Sequence, residues 1–237
     1  MAVSIDTVYQ RVLALANKEQ RGYITPQEFN LFANHAQMEI FEQYFYDLNQ
    51  AARVPGNNKV IADVDDMLEE KISIFEVVVG SGTVTSWGLD GQNIIIPSEV
   101  YRLSEVRVSS FPVEFLSTKE FNMARESPLT APTETRPIAR RDFKGILIHN
   151  GSIVTPLTHS INSSYIKKPT KVEWAYVVVN NKPLYNDNIS VSFELHPSEE
   201  TELVHKILKL AGVNLKAPDV VQVGQALEQI QTQQEKQ

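Results

Sequence analysis

The first apolar pattern in the chain is helical. Between Ser4 and Asn17, Ile5, Val8, Val12 and Leu15 recur on one face, with Tyr9, Leu13 and Ala16 beside them. This helix is predicted to stop around Asn17–Gly22. Thr25-Pro26-Gln27-Glu28 then has the form of a capping box with proline at the first helical position. The threonine side chain accepts an orphan amide, and the glutamate reaches back to the N–H of the cap. No glycine or proline interrupts the chain from Gln27 to Val54, which predicts a helix of about 25 residues, roughly 38 Å long. Its apolar stripe is broad: Phe29, Phe32, Ala33, Ala36, Ile40 and Tyr44, widened by Phe41, Phe45 and Leu48. A stripe that wide needs cover on more than one side. A central bundle helix is one reading; contact of its aromatic end, Phe41 to Tyr46, with a neighbouring subunit is the other. Val54-Pro55-Gly56-Asn57-Asn58 is turn chemistry that closes the hairpin. Asp63 to Phe75 is predicted as a short helix running into a strand.

The period then changes to that of strands. Phe75–Val79, Thr83–Trp87, Asn93–Ile96 and Val100–Val108 are β-branched or aromatic runs, the first three divided by glycine-containing turns. Ser117 to Glu120 is a second capping box, opening a helix to about Arg125. Ser127–Pro137, with three prolines, is predicted as a surface loop. Gly145–His149 and Ser152–Thr155 flank Asn150-Gly151, a dipeptide suited to a type I′ turn. Ile161–Ile166, Lys171–Val179 and Ile189–Leu195 supply three more strands. Helix returns at the end: Ser198 is placed as the cap of Glu199–Ala211, with Gly212 as its C′ residue. A second helix from Asp219 carries Val220, Val223, Leu227 and Ile230 as a narrow seam, followed by a glutamine-rich tail with seven Gln between Gln222 and Gln237. Such a seam docks either on the N-terminal hairpin of the same chain or on another subunit.

The predicted fold class is therefore α+β, with an N-terminal helical hairpin (1–55) and C-terminal helices with the Gln-rich tail (198–237) packed together. Between them lies a β-rich segment (56–197) of short antiparallel strands that includes the 127–137 loop. The three are expected to form one contiguous unit.

Composition removes function classes without naming one. The 237 residues carry 22 Lys+Arg against 29 Asp+Glu, a net charge of −7, and no cysteine. That excludes disulfides, thiolate-ligated zinc, iron–sulfur clusters and thiol catalysis. An acidic balance argues against holding nucleic acid by charge. No apolar run approaches the ~20 residues of a membrane helix, so a protein made in a cytoplasm is expected.

The search for chemistry is largely empty. The five histidines (His35, His149, His159, His196, His205) are scattered, with no H-E-x-x-H and no two within one helical turn. Asp63-Val64-Asp65-Asp66 fails as a calcium loop, because Met67 and Leu68 occupy the positions that need a ligand and a glycine. Gly80, Gly82 and Gly88 fit neither a dinucleotide nor a phosphate loop, and G-x-S-x-G is absent. Two small basic groups, Arg136/Arg140/Arg141/Lys144 and Lys167/Lys168/Lys171, suit subunit contacts or a solvated rim. No catalytic, cofactor-binding or metal-ligating residue is assigned, and no cofactor is expected.

The order of several segments carries a resemblance. Asn93-Ile94-Ile95-Ile96-Pro97 leads into Tyr101-Arg102-Leu103; Tyr165-Ile166-Lys167-Lys168-Pro169 is followed by Trp174; Ser192-Phe193-Glu194-Leu195-His196-Pro197 precedes the helix of Leu203 to Gly212. With the N-terminal hairpin, this succession resembles structural virion proteins of short-tailed bacteriophages, particularly the crAss-like group. Within that group the α–β–α layout is similar to head-to-tail adaptor or ring proteins, relatives of the tail tubular protein. The resemblance implies a non-enzymatic subunit of a twelvefold closed ring, made in the bacterial host cytoplasm and built into the virion neck or tail. Its implied partners are further copies of itself, the portal and other neck or tail rings, with genome DNA passing through a channel without specific binding and with no membrane contact. An acidic lumen would repel phosphate. Phe41, Phe45, Tyr46, Val220, Val223, Leu227 and Ile230 are the expected subunit-contact residues, with Ser127–Pro137 as a mobile or docking arm. Other virion roles, such as packaged cargo or a tail protein without ring symmetry, are the nearest alternative; a hydrolase or sugar-binding module is a third.

Overall fold

A computed structural model describes residues 3–18, 24–51, 59–79, 87–143, 145–155, 159–180 and 182–214, with 226 and 229 as isolated helical positions. Helices α1 (Ile5–Lys18), α2 (Pro26–Ala51) and α3 (Lys59–Ser73) come first. Strands β1 (Glu76–Val79), β2 (Leu89–Asp90), β3 (Asn93–Ile94), β4 (Val100–Val108), β5 (Phe111–Pro112) and β6 (Glu114–Phe115) follow, then helix α4 (Thr118–Glu126). After it come β7 (Ile138–Asp142), β8 (Gly145–His149), β9 (Ile153–Val154), β10 (Ile161–Lys167), β11 (Tyr176–Val179) and β12 (Lys182–Tyr185). A 3-10 turn at Pro197–Glu199 leads into α5 (Glu200–Asn214). The fold is α+β, with helices at both ends and a middle of short strands. The strands pair antiparallel except for β6 beside β7. Two compact units result: one from Met1–Ile74 with Pro169–Gln237, the other from Phe75–Lys168.

In the first unit, α2 is the central element, packed against α3 and α5, while α1 packs on α5. Its start is the expected capping box: Glu28 N–H donates to Thr25 Oγ1 (3.3 Å) and Thr25 N–H to Glu28 Oε2 (3.1 Å). The buried row of α2 is Phe29, Ala33, Ala36, Gln37, Ile40, Phe41 and Tyr44, and that of α5 is Leu203, Val204, Ile207, Leu208 and Ala211. On α1 the buried face is Ile5, Val8, Tyr9, Val12 and Ala16; Leu15, expected on it, is exposed. Two expectations about α5 are corrected. Gly212 is not a C′ residue, because the helix continues to Asn214 and buries that glycine. Ser198 is not the cap either: it lies inside the 3-10 turn, whose cap is His196, with Nδ1 accepting from Ser198 N–H.

The second unit is two sheets over one core. One sheet runs β1-β10-β4-β5 and the other β2-β3-β8-β7-β6, with β9 on β8. Side chains of both, among them Leu103, Val106, Ile161 and Tyr165 from the first and Ile94, Ile146, Ile148 and Val154 from the second, form one buried cluster with Trp87. Strand β8 is buried along nearly its whole length. Ile146 and Ile148 enter that cluster, while Leu147, pointing the other way, packs with Ile138 against Phe121 of α4. A strand covered on both faces reads as a continuous apolar run, which is what Ile146-Leu147-Ile148 is. Gly145 is required at its start: φ is +150°, and a Cβ there would lie 2.0 Å from the Ile94 carbonyl oxygen.

The β8–β9 hairpin forms where expected, but with a different turn. His149 pairs with Ile153, so three residues make the loop, and only Gly151 among them has positive φ. Asn150 has the ordinary sign and is buried; its Oδ1 accepts from Ser152 N–H and its own N–H donates to the Ser152 carbonyl. Ile189–Leu195 does not form a strand; it contributes isolated bridges at Val191 and Phe193. Of Lys171–Val179 only Tyr176–Val179 is strand, and it pairs with β12, a strand outside the predicted set. The expected strand at 83–87 lies outside the described residues except for Trp87.

Helix α4 has the predicted box in full: Glu120 N–H donates to Ser117 Oγ, and Ser117 N–H and Oγ–H to Glu120 Oε2 (3.0 and 2.7 Å). The hydrogen bonds from Ser117, side chain first and then backbone, hold the Glu120 carboxyl below the usual carboxylate range. A lowered folded pKa stabilises above the unfolded pKa and is lost as pH falls through the folded one. The start of α4 is therefore expected to stay intact at neutral pH and to fray only at acid pH. An NMR titration of Glu120 checks this; Ser117→Ala should return its midpoint towards the ordinary carboxylate value.

Candidate interaction surfaces

The first unit contains a polar device that periodicity does not reveal. Along α2, Asn30, Asn34 and Gln37 lie on one face, and the extended segment 170–174 runs antiparallel beside them. Trp174 N–H donates to Asn30 Oδ1 (2.8 Å), and Asn30 Nδ2 donates to the Trp174 carbonyl (3.3 Å). Val172 N–H donates to Asn34 Oδ1 (3.0 Å), and Asn34 Nδ2 to the Val172 carbonyl (2.8 Å). Gln37 Nε2 donates to the Thr170 carbonyl (2.8 Å), while Gln37 Oε1 accepts from Glu194 N–H (3.3 Å). Four helical residues advance about 6 Å and two extended residues about 6.6 Å, so alternate strand residues meet successive turns of the helix. The side-chain amides act as the missing neighbour strand. Asn34→Leu removes both bonds to Val172 and leaves a part-buried donor and acceptor unpaired, so it is expected to lower the unfolding free energy by about 2–3 kcal/mol, measurable by urea titration.

This clamp holds the base of a hairpin. Trp174 is buried, its ring 4.3 Å from that of Tyr9, and its indole N–H donates to Asp6 Oδ1 (3.0 Å). Tyr176 and Tyr185, opposite each other at the root of β11–β12, lie 5.8 and 5.7 Å from the Trp174 ring. Beyond that root the hairpin is largely exposed. Val177, Val178, Val179 and Leu184 are all at least 46% exposed, and among the described residues no third strand joins the sheet. A two-stranded hairpin is marginal in water; this one is fixed at its root and presents apolar side chains on both faces. It is the main candidate interaction surface, and the signal for it in the sequence was Asn180-Asn181 after Val177-Val178-Val179.

The residues expected at a subunit interface have different fates. Phe41 is fully buried in the first unit and has no surface to offer a neighbour. Phe45 packs edge-on against it at 5.1 Å and is partly covered. Tyr46 is 63% exposed and points outward. Val220, Val223, Leu227 and Ile230 lie outside the described residues. In the 127–137 loop, Pro132 and Pro137 are buried and Thr133 bridges Arg136, leaving Leu129 exposed. Phe143, at the β7–β8 turn, is fully exposed.

The first basic group is engaged locally. Arg136 pairs with Glu114 (3.7 Å) and Arg140 with Asp142 (3.8 Å). Arg140 and Arg141 lie over the rings of Phe121 and Phe115; Lys144 is not among the described residues. Asp63-Val64-Asp65-Asp66 is inside α3. His149 is held below the usual imidazole value by burial and then by the charge of Arg125, and its Nδ1 accepts from Gly151 N–H. Among the described residues no three His, Asp or Glu side chains converge to hold a metal ion, and no helix is long and apolar enough to cross a membrane. The chain matches no protein-family model, and no curated protein is similar to it in sequence.

Proposed function

We propose that this chain is a structural subunit of a bacteriophage virion, one copy in a closed ring at the head-to-tail connector. The observation that carries an assembly role is the apolar β11–β12 hairpin, clamped at its root and exposed along its length. Fixed geometry joined to exposed apolar surface serves association, where a mobile arm would lose more entropy on docking. The sequence resemblance supplies the kind of assembly: a twelvefold ring that contacts the portal and adjoining neck or tail rings and leaves a channel for DNA. No catalytic residue has a role in this reading.

Native mass spectrometry of the full chain, with a cryo-EM reconstruction of virions that carry it, tests the proposal. Twelve copies in a closed ring, and matching density at the portal–tail junction, are the expected results. A chain that is monomeric both alone and in virions, or located away from the neck, overturns it.

A further inference from the structure

We infer that copies of this chain join by strand addition, the outer edge of β11 in one copy pairing antiparallel with the outer edge of β1 in the next. The inference rests on the self-assembly part of the reading above and is independent of location in a virion. Four observations carry it.

The first is that both edges are open. Among the described residues β1 pairs only with β10, and β11 only with β12. The second is the direction of the backbone groups, fixed by the alternation of antiparallel ladders, in which directly opposed residues either exchange both bonds or turn both groups outward. Lys167 N–H donates to the Phe75 carbonyl, so Phe75 is a bonded position and Glu76 and Val78 turn their N–H and C=O groups away from β10. In the hairpin, Asn186 N–H donates to the Ala175 carbonyl, so Val177 and Val179 face β12 while Tyr176 and Val178 turn outward.

The third observation selects β11 over β12. Pro183 lies opposite Val178, at an outward-facing position of β12, and has no N–H to offer. One edge of the hairpin is blunted and the other is not. The fourth is complementarity between the two open edges. Glu76-Val77-Val78-Val79 and Tyr176-Val177-Val178-Val179 are four-residue strands. Val78 is 77% and Val178 61% exposed, and neither strand carries the lysine that usually guards an edge. With Val77 opposite Val177, the outward groups match: Glu76 with Val178 and Val78 with Tyr176. Val77, which already packs against the sandwich core, would then meet Val177 of the incoming hairpin. Because the two edges are different surfaces of one chain, the contact is heterologous and propagates from copy to copy, the type that closes into rings.

The test uses the 237-residue chain, whose sequence contains no cysteine. Val178→Pro removes the outward N–H of β11 at a position equivalent to Pro183, leaving the bonds within the hairpin in place; Val78→Pro does the same on β1. Each is expected to shift the protein from oligomer to monomer in native mass spectrometry, with an unchanged circular dichroism spectrum. In the double variant Glu76→Cys/Val178→Cys, oxidation is expected to give a denaturant-resistant ladder of multimers, while each single variant gives none. An oligomer that persists in both proline variants, or that yields no ladder, overturns the strand-addition inference and leaves self-assembly standing. A wild-type protein that is monomeric both alone and in virions overturns both.

Discussion

Replacing Trp174 by alanine is expected to lower the unfolding free energy by about 3–5 kcal/mol, the range for deleting a large buried aromatic side chain. Three separate losses add at this position. The indole contacts with Tyr9, Tyr176 and Tyr185 disappear, the cavity is only partly refilled, and Asp6 loses its indole N–H donor. The consequence extends past stability. The two tyrosines that seat the β11–β12 hairpin lose their platform, so the hairpin should loosen while the second unit stays folded. Hydrogen exchange checks this: protection is expected to fall in residues 170–185 and to persist in β4, β8 and β10. Trp174→Phe, which keeps a ring but no donor, should cost less than the alanine variant. Unchanged protection in the hairpin would refute the idea that Trp174 fixes it.

Glu199→Leu is expected to be nearly as severe. Glu199 is 2% exposed and Lys71, 13% exposed, lies 2.6 Å from it. The ammonium of Lys71 also sits 5.6 Å from the centre of the Tyr44 ring, so the pair ties α3 and the turn before α5 to α2. Removing one member leaves a buried charge without its counter-charge, which typically costs about 3–5 kcal/mol. The pair itself contributes much less, because both charges were taken out of water to form it. The double variant Lys71→Met/Glu199→Leu should therefore recover most of the loss. Denaturant titration of the two singles and the double decides the matter. A double variant as unstable as the sum of the singles would mean that shape, not charge, is what the site requires.

These two sites differ in how far they could be read beforehand. Local pattern puts Glu199 in the acidic first turn of a helix expected at Glu199–Ala211, one residue off its place at the end of the 3-10 turn before α5. That its partner is Lys71 follows from the fold alone. In the sequence Trp174 stands out only within a segment order, and nothing marks its clamp: Asn30, Asn34 and Gln37 look like ordinary polar positions on a long helix. Their backbone partners on segments 170–174 and at Glu194 are 133 to 157 residues away, and no spacing rule reaches that far. The reverse failure is Phe41, which shares the aromatic end of α2 with Tyr46 and is drawn by the same pattern, yet one is interior and the other is surface. Five residues along a helix is about 140° of rotation, and the broad stripe could not say which side would be covered.

What the sequence determined by itself is the set of local structures: the two capping boxes, the length of α2, the nine-residue strand β4 and the α+β order. Each rests on interactions between residues a few positions apart, where side-chain type and spacing are sufficient. Tertiary structure alone decided the rest. It set which apolar residues are covered, which glycine must approach a neighbouring carbonyl, how a helix supplies amides to a strand, and why the valines of β11 are left outside. Those outcomes depend on which distant segments meet, because burial and hydrogen-bond partnership are properties of the assembled neighbourhood and not of the residue.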